Sequence, residues 1–499
     1  MRKWILLGTS AAVLLFACVV RADYVIFRMP GTPVTFVLQG KAKVNADKSV
    51  SFTHPVLKEK LTFPAQGTDV VEAPDAKDAF QKKLKDAKTA ADSFKVAQWA
   101  LKRGMLTEFY RATEKTIELD DQHRAALAVK DLRTKISKEV PESAEQLDEF
   151  KQLVGNDAMK VANSKHFVML YDTSDKPQSI GGRKKRRHEV QLELLEDVYE
   201  TFLMMFSSQN VELQIPEERL KVVLFAQKND FDSFAQRIQT NLDLAGGFWD
   251  PVSNVSAFYD AGSDPHEKAI KEIVDSLKKS ADDAKKKKGG GQTGNRGAGG
   301  GGGPPNLMNL VRDVKTIELL QQIHQENAAV EIVSHEATHQ MAGNTGLFPR
   351  NVLVPAWVHE GLATYFESPG DAGWSGIGAV NERRLNWYRA YEDDRAHSNI
   401  NFIVGNQVFD LAQSDGAQLY AYAQSWALTH FLLETRLEKT VNFYRRLGEL
   451  PPDEVLSSDV LNALFDDVFQ EDRASLDKAW REHMASLKPE FEAAKGGKN

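Results

Sequence analysis

The sequence predicts an α+β fold, and three observations carry that expectation. Short strand-like runs bounded by turn residues open the chain, strand and helix patterns interleave between about residues 160 and 260, and helical spacing fills most of the remainder from Leu307 onward. At 499 residues more than one domain is expected.

Residues 1–22 read as a targeting segment. Met1-Arg2-Lys3, an apolar run from Trp4 to Val20 and Val20-Arg21-Ala22 before Asp23 have the layout of a cleaved secretory signal, with cleavage after Ala22. An uncleaved N-terminal anchor is one alternative. Lipidation at Cys18 is another, against which Phe16 is bulky where a lipobox carries small residues. The expectation is an exported protein of the periplasm, the cell envelope or the medium, touching a membrane only through the signal or an anchor. Cys18 is the single cysteine, so the exported chain keeps no thiol, and any metal must be held by His, Asp or Glu. The formal charge is −7, and the leader removes Arg2, Lys3 and Arg21 with no acids, leaving no electrostatic footprint for nucleic acid. The basic runs Arg183 to Arg187 and Lys285 to Lys288 lie beside glycines and read as solvated loop charges.

Residues 23–74 form a small β-rich unit. Tyr24–Phe27, Val34–Leu38, Val50–Thr53 and Leu61–Phe63 alternate between turn residues, and nothing in them suggests chemistry. Residues 75–140 turn helical, with Phe94, Ala97 and Leu101, then Phe109, Ala112 and Ile117, spaced for buried faces and breaks at Gly104 and Asp120-Asp121. Trp99, Gly104, Tyr110 and Ala112 resemble a degenerate tetratricopeptide (TPR-like) helical hairpin, equally readable as a plain helical spacer.

Residues 141–499 make the largest unit. His166–Tyr171 and Leu220–Phe225 read as strands, Glu189–Phe206 and Phe231–Ile238 as helices, and Gly247–Asp250 with Val255–Tyr259 as a hairpin at a sheet edge. Residues 263–306 change to a charged, helix-prone stretch, Glu267 to Lys288, and then a glycine tract, together read as a flexible insertion, a disordered loop or a mobile cover. Further helices are expected at Leu419–Glu434 and, broken at least once, over Val455–Leu487.

The chemistry gathers in His335-Glu336-Ala337-Thr338-His339. On a helix, residues four apart share a face, so His335 and His339 can grip one metal ion, with Glu336 close beside it. A zinc ion used as a Lewis acid needs a third protein ligand and an open position for water. Glu360 is the best candidate, since it opens the apolar-periodic stretch Leu362-Ala363-Tyr365-Phe366, and Gly361 beside it would let that helix come close to the metal. His359 competes formally but projects about 100° away from Glu360, and reads as a packed neighbour. Glu367 and Thr364 are candidates to orient ligands from behind, a role the sequence does not itself show.

These residues resemble the gluzincins, the thermolysin-like class of zinc metallopeptidases, and within them exported bacterial proteins of unknown function in the peptidase-MA-like group. The likeness rests on His335 to Gln340, Asn344 to Gly346 and Pro355 to Glu367, and spans about Lys165 to Glu434 without the insertion. It implies a thermolysin-like catalytic domain, a mixed sheet with an edge strand plus a helical part. It also implies Zn2+ held by His335, His339 and Glu360, with Glu336 as general base. Gly247-Phe248-Trp249-Asp250 is similar to the edge strand that holds substrate in thermolysin, which makes Gly247 and Trp249 substrate-binding candidates. An aromatic hairpin packed on its own sheet is the competing reading. The aminopeptidase Gly-x-Met-Glu-Asn signature is absent, against amino-terminal trimming. For an oxyanion donor, the resemblance points to the helix around Tyr422, with His430 as the second candidate; both residue types also serve as core.

The function expected is an exported zinc metallopeptidase, an endopeptidase acting on peptide or protein substrates. The first alternative is a non-enzymatic envelope or interaction protein that keeps the scaffold and uses its TPR-like helices. The second keeps zinc and cleaves a non-peptide bond. Removal of residues 23 to about 140 as a prosegment is a further possibility that no cleavage signature supports. Oligomeric state and side-chain preference have no sequence signal.

Overall fold

The computed structural model describes residues 23–492 except 29–34, 55–56, 59, 74, 181–182, 239–245, 290–306, 351, 368, 371–372, 375, 453 and 490. Residues 1–22, read as a targeting segment, with Cys18 among them, and the glycine tract lie outside the described residues. Among the described residues no helix is long and apolar enough to cross a membrane.

The first unit is an antiparallel sheet of β1 (Asp23–Arg28), β2 (Thr35–Val44), β3 (Val50–Thr53), β4 (Lys60–Phe63) and β5 (Thr68–Val71), in the order β4-β3-β2-β1-β5. Alternation along the strands puts Val25, Phe27, Leu38, Val50, Phe52, Leu61 and Phe63 on one face, closed by Leu319 of a later helix. Four helices follow: α1 (Ala76–Asp86), α2 (Ala90–Leu101), α3 (Leu106–Leu119) and α4 (Arg124–Ile136). Asp75 and Thr89 cap the first two through their side chains.

The second sheet takes β6 (Lys160–Asn163), β7 (Phe167–Tyr171), β10 (Leu220–Phe225), β11 (Gly247–Asp250) and β12 (Val255–Tyr259) in the order β11-β12-β10-β7-β6. Between β7 and β10 lie the hairpin β8 (Gln178–Ile180) and β9 (Arg183–Lys185) and the helix α6 (Arg187–Ser207). The sheet is mixed: β10 is parallel to β7 and β12, while β11 and β6 are antiparallel edges. Its two faces feed different cores. Phe167, Met169 and Tyr171 join α6, whereas Val168 and Leu170 pack with Phe150 of α5 (Ala144–Val154) and Phe231 and Phe234 of α7 (Lys228–Arg237).

The rest is helical: α8 (Pro265–Gly289), α9 (Leu307–Asn344), α10 (Ala356–Phe366), the hairpin β13 (Pro369–Gly370) and β14 (Gly373–Trp374), α11 (Glu382–Tyr391), α12 (Ile400–Val404), α13 (Gln407–Asp410), α14 (Asp415–Thr435), α15 (Leu437–Leu447), α16 (Ser458–Phe469) and α17 (Arg473–Ser486). At 38 residues α9 runs about 57 Å. Its first half carries Leu319, Leu320 and Ile323 against the N-terminal sheet and its second half the histidine motif, so one rod joins both units.

Three expectations change. The stretch from Pro265 to Gly289, read as part of a flexible insertion, is a helix lying on α9. Buried Glu267 accepts from Gln325 at 2.9 Å and meets His324 Nδ1 at 2.8 Å, polar contacts that a charge-rich composition hides. The basic run at Arg183 to Arg187 is not simply solvated, because Lys185 pairs with Glu193, Arg186 with Glu189 at 3.5 Å, and Arg187 with Glu326 at 3.1 Å. Finally, α2 and α3 pack together as the hairpin expected there, but the core runs across residue 140: Phe94, Ala97 and Phe109 belong to one cluster with Leu195, Trp357 and Trp426. Faces that a peptide-docking repeat would leave open are thereby covered.

Candidate metal centre

The motif falls on the last third of α9, where His335 and His339 lie one turn apart with ring centroids 4.6 Å apart. Glu360 reaches them from α10. Its Oε2 stands 3.0 Å from His335 Nε2 and 3.7 Å from His339 Nε2, and the three ligand atoms lie within 4.8 Å of one another. Two imidazoles and a carboxylate are the donor set of a zinc site with an open position. The observed separations bracket the roughly 3.3 Å between ligands that tetrahedral bonds of about 2.0–2.1 Å produce. The residues present therefore fit the ion.

Electrostatics point the same way. Burial opposes charge on His335, yet hydrogen bonds to Glu360 and Glu367 outweigh it and hold its pKa well above the ordinary imidazole value. Burial would raise Glu360, but His339 and His335 hold it well below the usual carboxylate range. With Glu336, Glu360 and Glu367 gathered around two imidazoles, the pocket is built for a cation.

Behind His335, Glu367 Oε1 meets Nδ1 at 2.7 Å, fixing the ring so that Nε2 faces Glu360. Arg384 of α11 holds Glu367 in turn, with Nη2 donating at 3.1 Å to Oε1 and 3.0 Å to Oε2, and Asn381 Nδ2 approaches Oε2 at 3.5 Å. Burial, which would raise the Glu367 carboxyl, is outweighed by Arg384 and His335. Thr364 takes no part: its hydroxyl donates to the backbone carbonyls of Glu360 and Gly361 inside α10. Arg384 went unread in the sequence because no local motif marks a contact that crosses a hairpin between two helices.

Glu336 is buried beside the triad, and burial raises its carboxyl above the ordinary value. A Cβ at Gly247 would stand 2.9 Å from Glu336 Cγ and 2.9 Å from Ile332 Cγ2, so the absent side chain is what lets the edge strand reach α9 here. Trp249, two residues on, donates from Nε1 to Asn254 Oδ1 at 3.1 Å, and Asn344 Nδ2 donates to the same oxygen at 2.8 Å. This joins the Asn344 motif at the end of α9 to the hairpin. The expected neighbour role of His359 holds: its ring stacks on His339 and also lies against Trp249, centroids 5.9 Å apart.

Tyr422 is brought to the cluster, its ring 6.3 Å from that of His335, and the charge on Glu360, then burial, push its phenol pKa up. Arg384 lies over the same ring at 5.1 Å. His430 is not brought there. Eight residues beyond Tyr422 it is about 12 Å further along α14 and turned by about 80°. Its Nε2 faces Gly378 O at 3.2 Å and its Nδ1 faces His483 Nε2 at 2.9 Å, which makes it a core residue rather than an oxyanion donor. Gly361 also differs from expectation. A Cβ there would collide with Thr429 Oγ1 and sit 2.9 Å from Ser425 O, so the glycine admits α14, not the metal.

A family described as "Protein of unknown function (DUF1570)" matches residues 329–454, a stretch holding the triad, Glu336, Glu367, Arg384 and Tyr422. No curated protein matches the chain. No solved structure does either.

Proposed function

We propose that this protein is a zinc-dependent metallopeptidase of the gluzincin type, built on a thermolysin-like catalytic domain and acting outside the cytoplasm on extended polypeptide. The observation that carries the reading is the position of Glu336, buried beside the metal-binding triad with its Cγ where the edge strand approaches at Gly247. His335, His339 and Glu360 would hold the ion, which when bound supplies Lewis-acid activation of water. Glu336 would take a proton from the attacking water and return it to the leaving amine, and burial, which raises its carboxyl above the ordinary value, favours its holding that proton. Tyr422 stays protonated under the field of Glu360 and so is available to donate to the oxyanion. β11 has β12 on one side and no sheet neighbour on the other among the described residues, which supports substrate binding by β-addition.

Glu336→Gln tests the reading. Cleavage of a random peptide library by the purified chain should fall by at least about a hundredfold while one zinc per chain is retained. Full activity in that variant, or zinc-independent cleavage by the wild type, would refute it.

A further inference from the structure

The helix α2 ends at Leu101, more than two hundred residues before His335 in the sequence, yet the turn that follows it is joined to the metal motif by consecutive contacts. The carbonyl of Lys102 lies past the end of α2, where helix carbonyls lack a helical partner, and it accepts from Ile377 N–H at 3.1 Å. Gly376 lies against the same turn. Its φ is +104°, and a Cβ there would collide with the Lys102 carbonyl and stand 2.6 Å from Arg103 C. Two residues on, Gly378 N–H donates to Tyr365 O at the end of α10 at 3.0 Å, and Gly378 O faces His430 Nε2. The loop is thus clamped between α2, α10 and α14 immediately before Asn381, whose side chain caps α11 by accepting from Arg384 N at 3.2 Å. A second strap runs alongside: Lys102 Nζ pairs with Glu434 of α14, which accepts from Tyr365 OH at 2.7 Å.

We propose that Lys102 and Gly376 are positioning residues for the metal site, acting through Asn381, Arg384 and Glu367 on His335. The path is continuous: the Lys102 turn sets the 376–378 loop, the loop sets the start of α11, α11 presents Arg384 bidentately to Glu367, and Glu367 orients His335. The helical segment from Ala76 to Ile136 is then a fixed part of the centre, neither a removable prosegment nor a separate docking module. This inference rests on the metal-binding reading of the triad.

The test measures zinc affinity of the full chain by competition with a chromophoric chelator, with far-UV circular dichroism as the control for folding. Glu367→Gln should weaken zinc by about 10- to 100-fold, the usual cost of losing the partner behind a ligand. Gly376→Ala should weaken it by about tenfold or more, and the double variant should be no worse than the weaker single, because both act on one path. Cobalt-substituted Gly376→Ala should also show a shifted visible spectrum. A folded Gly376→Ala with wild-type affinity, or single losses that multiply in the double, would overturn the proposal. Should Gly376→Ala fail to fold, Lys102→Met, which cuts the strap through Glu434 to Tyr365, the residue on which Gly378 rests, replaces it in the same cycle. Its expected loss is about tenfold, again absorbed in the double with Glu367→Gln; unchanged affinity or multiplying losses would overturn the proposal equally. A wild type that binds no zinc would sink the metal reading itself, and that result is separately visible.

Discussion

The imidazole of His359 lies flat on that of His339, ring centroids 3.9 Å apart and planes 12° from parallel. The two histidines of the triad are therefore held by different means. His335 is fixed through its outer nitrogen by Glu367, whereas His339 is fixed across its face, and Phe348 lies behind His359 at 6.0 Å. Burial and the neighbouring His339 push the His359 pKa well below the ordinary value, so the stacked ring is neutral and does not repel a cation nearby.

Stacked aromatic pairs contribute about 0.5–1.5 kcal/mol, which corresponds to a loss of roughly 2- to 10-fold in zinc affinity for His359→Ala. His359→Phe keeps a flat ring without a nitrogen and should bind zinc as the wild type does. Chelator competition distinguishes the two. Equal weakening in both variants would mean that the imidazole nitrogen matters, not the stack.

What could be read beforehand follows from how local each signal is. Most strands of the two sheets are legible because short apolar runs between turn residues are a local signal, as at Phe167 to Tyr171, where successive side chains feed opposite cores; the edge strands β5 and β6, short and largely polar or exposed, are not read. His335, His339 and Glu360 were legible because helical spacing and a short connection fix their encounter. Arg384 was not, since its partner Glu367 lies across the β13–β14 hairpin and nothing near either residue encodes that fold-back. For His430 the donor and core readings stay open in the sequence, because helical patterning does not tell the cleft face of α14 from the face packed on α17. In α8 the helical tendency is legible, but buried contacts such as those of Glu267 are polar, so a composition rich in Lys and Asp conceals that the helix packs on α9.

The core position of His430 has a consequence for acid stability. In the neutral ring, Nε2–H donates to Gly378 O and Nδ1 accepts from His483; a second proton would set N–H against N–H. Burial lowers the His430 pKa to about 4 and also lowers that of His483. The folded state then binds fewer protons than the unfolded chain between about pH 4 and the ordinary histidine value near 6.5. Stability is complete above that window and is lost as pH falls through it, by on the order of 3 kcal/mol for this group. His54, lowered to about 4 by burial as well, adds the same sign. Urea unfolding at pH 7 and pH 4.5 should show a smaller pH-dependent loss in His430→Gln than in the wild type; equal losses would remove His430 from the account.

Substitution at Gly247 separates the role proposed for Glu336 from that of the metal-binding triad. At Gly247 the edge strand passes so near α9 that a methyl group would press on Glu336 Cγ, with Ala257 O closing the other side at 3.1 Å. The strand cannot retreat easily, because Trp249 is tied through Asn254 to Asn344 on the same helix. Gly247→Ala should therefore displace Glu336 while leaving His335, His339 and Glu360 undisturbed. A displacement of about 1 Å in a reacting group costs on the order of a hundredfold in rate. Turnover of a cleaved library peptide should fall by roughly ten- to a hundredfold in kcat, with zinc affinity unchanged. A parallel loss of zinc would instead place Gly247 among the supports of the metal, and unchanged kcat would show that Glu336 tolerates the shift.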